Sequence, residues 1–255
     1  MKPAQWCSEK LGKLLAVIIS NPLFFLEAPM DRYERNGIIT KEEQDKLKGM
    51  SVCVIGCGGL GGYVIEMLSR FGIGKLTLVD GDVFNESNLN RQLLCVMQTL
   101  KKSKAFTAAE RIEAINPDIQ VGVIATYVDE DNVFNILNGH DVVVDALDSN
   151  AVRIIVLEAC RALGIPCIHG AIAGWYGQVS TVFPEDTFVR TYLSQTKSKG
   201  IELEIGNPSF TPACVASYQV AETIKVLLNK GALYREQILY IDLLENEVEI
   251  IRASE

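Results

Sequence analysis

The chain has 255 residues, enough for one generous α/β domain or two small ones. With 48% hydrophobic and 22% charged residues it has the make-up of a soluble globular protein. The formal net charge of −8 argues against nucleic acid as the main partner, because phosphate-backbone binding needs clustered Lys and Arg, yet it leaves room for a local basic pocket.

Residues 1–29 read as an N-terminal extension, helical or disordered, ahead of a domain over 30–255, and Met30 offers a second start codon. The apolar run after Lys13 is broken at Asn21-Pro22. It is shorter than the roughly 20 residues a bilayer span needs, so no membrane association is expected. The β-rich run 51–55 predicts a buried parallel strand. Residues 59–71 carry helical periodicity through Leu60, Val64, Met67, Leu68 and Phe71. A second strand spans 75–79, a helix 103–115 ends at Asn116-Pro117, and a third strand covers 119–125. A short helix at 131–137, a strand at 142–145, a helix at 150–163 and a strand at 167–171 follow. This alternation predicts a Rossmann-like, doubly wound parallel sheet. The pattern then changes: strand 177–183, a polar stretch without period, helix 210–229, and a hairpin of 238–243 with 248–251. The second half of the sheet is therefore expected to be mixed or antiparallel, with 185–207 as a mobile crossover loop.

The seven cysteines are scattered, odd in number and free of CxxC pairs, which suits reduced thiols rather than a disulfide framework or a zinc site.

The chemistry-bearing residues concentrate between the first strand and the helix at 150. Gly56-Cys57-Gly58-Gly59-Leu60-Gly61 follows a strand and opens a helix, the setting in which a glycine loop presents backbone N–H groups to phosphates. A turn that merely lets helix and strand pack closely would look the same. Asp80 ends the second strand, where a carboxylate can accept from ribose hydroxyls; up to this point NAD fits as well as ATP. Asn88, Arg91 and Gln92 follow, amides and a guanidinium with no use beside a nicotinamide but suited to phosphate oxygens, while Asp82 is placed with Asp80 among the nucleotide-binding residues. The run Lys101-Lys102-Ser103-Lys104 is ordinarily a solvated helix start. Lys there opposes the helix dipole, which a bound anion would relieve. Asp145 and Asp148 follow the fourth strand, where a carboxylate faces the ligand crevice and can hold Mg²⁺ together with phosphate. Either could instead cap the next helix; Asp148 is assigned to the metal and Asp145 to structural support.

This ordered set resembles the MoeB/ThiF/HesA family, bacterial relatives of ubiquitin-activating enzymes, over about residues 31–252. The matching motifs run from Arg32-Tyr33-Glu34-Arg35 through the glycine loop, Leu78 to Asp82, Ser87 to Gln92, Lys104 and Asp145 to Asp148. They continue to Gly170-Ala171, Gly177-Gln178-Val179 and the helix at 217–227. The resemblance implies ATP-dependent adenylation of the C-terminal Gly-Gly carboxylate of a small ubiquitin-like sulfur carrier, for thiamine or molybdopterin-type sulfur transfer in the cytoplasm. It implies that Gly58, Gly59 and Gly61 cradle phosphates and that Asp80 holds ribose. Asn88, Arg91 and Lys104 would bind the triphosphate with Gln92 nearby, and Asp148 would hold Mg²⁺. It further implies a homodimer in which Arg35 reaches the partner's ATP. The chain departs from many relatives in lacking the zinc cysteines, so zinc is not expected, and in having no cysteine within 184–208. Cys214 sits beyond, near the start of an apolar helix, and is read as a packed thiol, so adenylation without an enzyme-bound thioester is expected. The competing readings are an NAD-dependent oxidoreductase, a tRNA threonylcarbamoyladenosine dehydratase and a catalytically silent binding module.

Overall fold

Runs such as Ser51–Ile55, apolar on both sides of the pleat, can only be satisfied inside a sheet covered on both faces. The computed structural model, which describes residues 32–195 and 205–252, builds that sheet. The expected extension at 1–29 and the middle of the expected loop at 185–207 lie outside the described residues. The chain divides into two units, Met1–Gly37 and Ile38–Glu255. In the first, residues 32–37 form a turn closed by the Asn36 N–H donating to the Tyr33 carbonyl at 2.8 Å, with Arg35 exposed.

The second unit is an eight-stranded sheet of order β3-β2-β1-β4-β5-β6-β7-β8. Its strands are β1 Ser51–Ile55, β2 Lys75–Val79, β3 Gln120–Ile124, β4 Val142–Asp145, β5 Cys167–Ala173, β6 Tyr176–Val182, β7 Gln237–Asp242 and β8 Glu247–Arg252. β3 through β5 are parallel, and β5 through β8 antiparallel. The chain leaves β1 for β2 and β3 on one side and returns to β4 on the other. A topological switch point therefore opens between the carboxyl ends of β1 and β4.

Seven helices flank the described sheet: α1 Lys41–Lys48, α2 Gly59–Phe71, α3 Lys104–Ile115, α4 Val133–Leu137, α5 Asn150–Leu163, α6 Phe188–Gln195 and α7 Phe210–Leu228. Strand alternation divides the core. Val52 and Val54 pack with α1, α2, α3 and α7, whereas Cys53 and Ile55 pack with α4, α5 and α6. No helix among the described residues is long and apolar enough to cross a membrane.

Two helices were not expected. α1 opens with a capping box in which the Glu43 N–H donates to Thr40 Oγ1 at 3.2 Å and the Thr40 N–H to Glu43 Oε2 at 2.9 Å. It docks through fully buried Leu47, a side chain worth about 2 kcal/mol of burial. α6 lies inside the segment read as a loop. Its buried Val189 and Leu193, one turn apart, join the α5 side of the core. Its first N–H groups are taken by a distant acid, Glu236, whose oxygens accept from Thr187 at 2.6 Å and Phe188 at 3.0 Å. That cap is invisible in the local sequence.

Candidate active site

At the switch point β1 runs into Gly56, whose φ of +94° a side chain would resist, and whose Cβ would stand 2.6 Å from the Ala146 carbonyl oxygen. A Cβ on Gly61 would stand 1.7 Å from the Gly56 carbonyl oxygen, so these two glycines let α2 pack against the strand end. Gly58 and Gly59 differ. Their nearest neighbours would be the Gln92 carboxamide at 3.4 Å and Pro212 at 3.8 Å, and both glycines line an open cleft of about 520 Å³. The first turn of α2 has no side-chain cap, so its N–H groups are available to an anion. The loop thus serves both close packing and ligand access, each through its own glycines.

Asp80, at the end of β2, ties that loop down: its Oδ2 accepts from the Cys57 N–H at 2.7 Å and its Oδ1 from the Asp82 N–H at 2.8 Å. Burial pushes its pKa above the ordinary range against these hydrogen bonds and nearby Lys104. Asp82 Oδ2 pairs with Lys104 Nζ at 2.9 Å, and its Oδ1 accepts from the Tyr127 hydroxyl at 2.5 Å. Burial works to raise its pKa, but Tyr127 and Lys104 together bring it below the usual value. Lys104 is held in place through its own N–H, which donates to the Asp82 carbonyl at 3.0 Å, and is only 7% exposed.

Arg91 donates through Nη1 to the Ser87 carbonyl at 3.1 Å and to Asn90 Oδ1 at 3.0 Å, both neutral acceptors, and lines the cleft. Gln92 is buried beside Gly58, and its Oε1 has no partner among the described residues. Asp148 is exposed on the turn after β4 and faces the same space. Of the residues expected from sequence, the structure therefore gathers Gly56, Gly58, Gly59, Asp80, Asp82, Arg91, Gln92, Lys104 and Asp148 around one cleft. Gly61 lies beneath it. Asn88 does not line it; its Oδ1 accepts from the Asn85 N–H at 3.0 Å and closes a short turn over Glu86–Asn88. Arg35 belongs to the other unit.

Asp145 is fully buried and structural. His169 Nδ1 lies 2.8 Å from its Oδ2, Arg153 Nε 3.4 Å from the same oxygen, and the Leu147 N–H donates to Oδ1 at 3.0 Å. Burial would raise this carboxyl, yet Arg153 and then His169 hold it below its ordinary value. Arg153 was not singled out in the sequence. It reaches over the gap between β4 and β5, donating to the Leu147 carbonyl, to the Gly170 carbonyl at 3.2 Å and to Asn150 Oδ1 at 2.8 Å. The only sequence trace of it is one cation inside an apolar helical pattern. Tyr127, Gln178, Tyr192 and Asn207 also line the cleft and were likewise not assigned roles. Cys214 is half-buried against the core on α7, and burial raises its thiol pKa.

The ThiF family model matches residues 32–255. The chain belongs to the ThiF family. Two curated ThiF relatives are similar over most of their length. The SAMP-activating enzyme E1 of Haloferax volcanii is 34% identical over 228 residues, covering 87% of this chain and 84% of that one. The sulfur carrier protein adenylyltransferase of Thermus thermophilus is 35% identical over 229 residues, covering 85% and 84%. The crystal structure of E. coli MccB with ATP superposes with a TM-score of 0.74 over 89% of this chain and 72% of that one; at 22% identity it supports the ThiF fold alone. Family and relatives mark the chain as an ATP-using adenylyltransferase, and the NAD-dependent alternative falls with that.

Proposed function

We propose that the chain transfers AMP from ATP to the C-terminal carboxylate of a ubiquitin-like sulfur-carrier protein ending in Gly-Gly, releasing pyrophosphate. The observation that carries the reading is a single cleft that gathers the glycine loop, Arg91, Lys104 and Asp148 together with Ala171, Ala173 and Tyr192. Donor and acceptor can therefore meet in one cavity, the condition for a proximity-driven transfer.

The chemistry asks for no general base, since an α-carboxyl with a pKa of roughly 3.3–3.7 is already ionised at neutral pH. One acceptor oxygen bonds to the α-phosphorus, the bond to the bridging oxygen breaks, and pyrophosphate leaves with that electron pair; no proton moves. The residues then need only align and neutralise. The open N–H groups at Gly58 and Gly59 take phosphate oxygens, and Arg91 offers a forked set of donors. Lys104 retains two donors beyond its bond to Asp82, and Asp80 retains lone pairs for ribose. No group of three or more His, Cys, Asp or Glu side chains capable of holding a metal forms among the described residues. Asp148, exposed and lining the cleft, supplies one carboxylate, which suits an ion that takes a carboxylate plus phosphate and water, as Mg²⁺ does. Mg²⁺ held there would neutralise charge on the departing pyrophosphate. In the same reading the enzyme is a cytoplasmic homodimer and Arg35 of each protomer serves the other's ATP.

ATP–pyrophosphate exchange tests this directly. Exchange should require both Mg²⁺ and a carrier with a free Gly-Gly terminus, and Asp148→Ala should abolish it without lowering the melting temperature. Exchange that proceeds normally in Asp148→Ala, or that is driven by tRNA instead of a carrier, would overturn the proposal.

A further inference from the structure

On the β2–β3 side of the cleft one aromatic side chain is exposed and yet held still. Tyr127 follows β3, lines the cleft and is 66% exposed. Its backbone and ring lie directly on Gly81, where a Cβ would stand 2.8 Å from both the Tyr127 nitrogen and its Cδ2. The Tyr127 carbonyl accepts from Asn132 Nδ2 at 2.9 Å. Asn132 is in turn locked to Asp129, whose N–H donates to Asn132 Oδ1 at 3.1 Å and whose Oδ1 accepts from the Asn132 N–H at 3.0 Å. Main chain and ring together give the hydroxyl a fixed origin.

That hydroxyl donates to Asp82 Oδ1 at 2.5 Å, and the other oxygen of Asp82 pairs with Lys104 Nζ at 2.9 Å. The three groups come from separate places in the chain: the turn after β3, the turn after β2 and the first residue of α3. The Asp82 side chain is 47% exposed, whereas Lys104 is buried. The carboxylate is thus the loose member of the line, free to turn into water unless both its oxygens are held. An acid beside a phosphate-binding cation is also a rival for that cation. A hydrogen bond to its far oxygen draws charge from the near one, so Lys104 is held without being claimed.

We infer that the Tyr127 hydroxyl, acting through Asp82, positions the Lys104 ammonium for the phosphates of ATP. The inference rests on the adenylation reading above. Tyr127 is a positioning residue, since its hydroxyl reaches the nucleotide only by way of Asp82 and Lys104. Losing the hydroxyl acts twice in the same direction. Asp82 gains freedom, so Lys104 is aimed at the phosphates for less of the time. The charge that Tyr127 shared returns to the carboxylate, which then competes harder with phosphate for the ammonium. The nucleoside part of the ligand is indifferent to both changes.

Tyr127→Phe keeps the ring on Gly81 and removes the hydroxyl alone. Calorimetric titration of wild type and variant with ATP and Mg²⁺, and separately with adenosine, divides the phosphate contribution from that of the nucleoside. The ATP dissociation constant should rise about three- to tenfold, the worth of one hydrogen bond partly open to water, while that of adenosine stays within about twofold. In ATP–pyrophosphate exchange the rise should appear in the ATP KM, with the carrier KM held within about twofold. In an Asp82→Ala background Tyr127→Phe should add less than about twofold, because the group that transmits its effect is gone. An unchanged ATP constant, an equal rise for adenosine, or effects that multiply in the Asp82→Ala background would overturn the positioning role while leaving the wild-type reaction intact. A wild type that binds no ATP in the presence of Mg²⁺ would overturn the adenylation reading, and the positioning role with it.

Discussion

Replacing Arg153 with methionine removes a cation of similar length from beneath the cleft and leaves Asp145 in place. The Arg153 side chain is 8% exposed and that of Asp145 1%, so water cannot take over the lost partner. Breaking a buried pair in this way costs about 3–5 kcal/mol. His169 and the Leu147 N–H still hold the carboxylate, which favours the lower end, about 3 kcal/mol. That is a large part of the 5–15 kcal/mol, roughly, that keeps a domain folded. Urea unfolding followed by circular dichroism measures it, and pH supplies the decisive arm. In the wild type the Asp145 pKa lies below its ordinary value of 3.8, so its stabilisation is present above that pH and is lost as pH falls through the folded value. In Arg153→Met the folded pKa is raised. The variant's deficit is then full at neutral pH, shrinks as pH falls through that raised value, and closes only below the wild type's depressed one. Adding Asp145→Asn should recover part of the loss at neutral pH. A deficit under about 1 kcal/mol, or one that does not change with pH, would refute the placement of a charged pair at the heart of the switch point.

The glycine loop gives a paired contrast. Gly61→Ala drives a methyl group to within 1.7 Å of the Gly56 carbonyl oxygen and should lower the melting temperature by at least about 10 °C. Gly59→Ala meets nothing closer than 3.8 Å and should leave stability within about 1 kcal/mol while weakening ATP binding measured by calorimetry. If the chain works as the proposed homodimer, mixing equal amounts of inactive Arg35→Ala and inactive Asp148→Ala should restore about one quarter of wild-type exchange, because half the pairs are mixed and each carries one complete site; no recovery would place Arg35 in its own protomer's site. Cys214→Ser should keep ATP–pyrophosphate exchange near the wild-type rate, and its loss would point to a covalent role for that thiol.

What could be read from the sequence followed from how local each signal is. The strands were legible because a buried parallel strand must be apolar on both faces, as Ser51–Ile55 is. The switch to antiparallel pairing was legible where helices stop alternating with strands. α1 was missed although Thr40 and Glu43 spell its capping box, because only Gln44 and Leu47 along it are buried and the apolar stripe is too thin to see. α6 was missed because its cap comes from Glu236, nearly fifty residues away in the chain. In the site, motif spacing brought out Arg91 on the turn after Glu86–Asn88, Lys104 at the start of α3 and Asp148 just past β4, all of which line the cleft. It placed Asn88 with them, but Asn88 does not line the cleft, and its Oδ1 accepts from the Asn85 N–H. Arg153, His169 and the hydrogen-bonded Gln178–Tyr192 pair owe their positions to contacts between β4, β5, β6, α5 and α6, and spacing along the chain records none of these.

The anchoring of α6 bears on how this scaffold can diverge. Two stretches that border the cleft are each fixed independently. One is α6, held by Glu236 and by Asp186 with Arg235. The other is the stretch after Ile205, held by the Gly174 N–H donating to the Gly206 carbonyl at 2.8 Å and by Thr211 Oγ1 donating to the Gly174 carbonyl at 2.6 Å. Descendants of this chain can therefore change at one anchor without the other: loosening α6 leaves the Gly174–Gly206 contact in place, and the reverse holds as well.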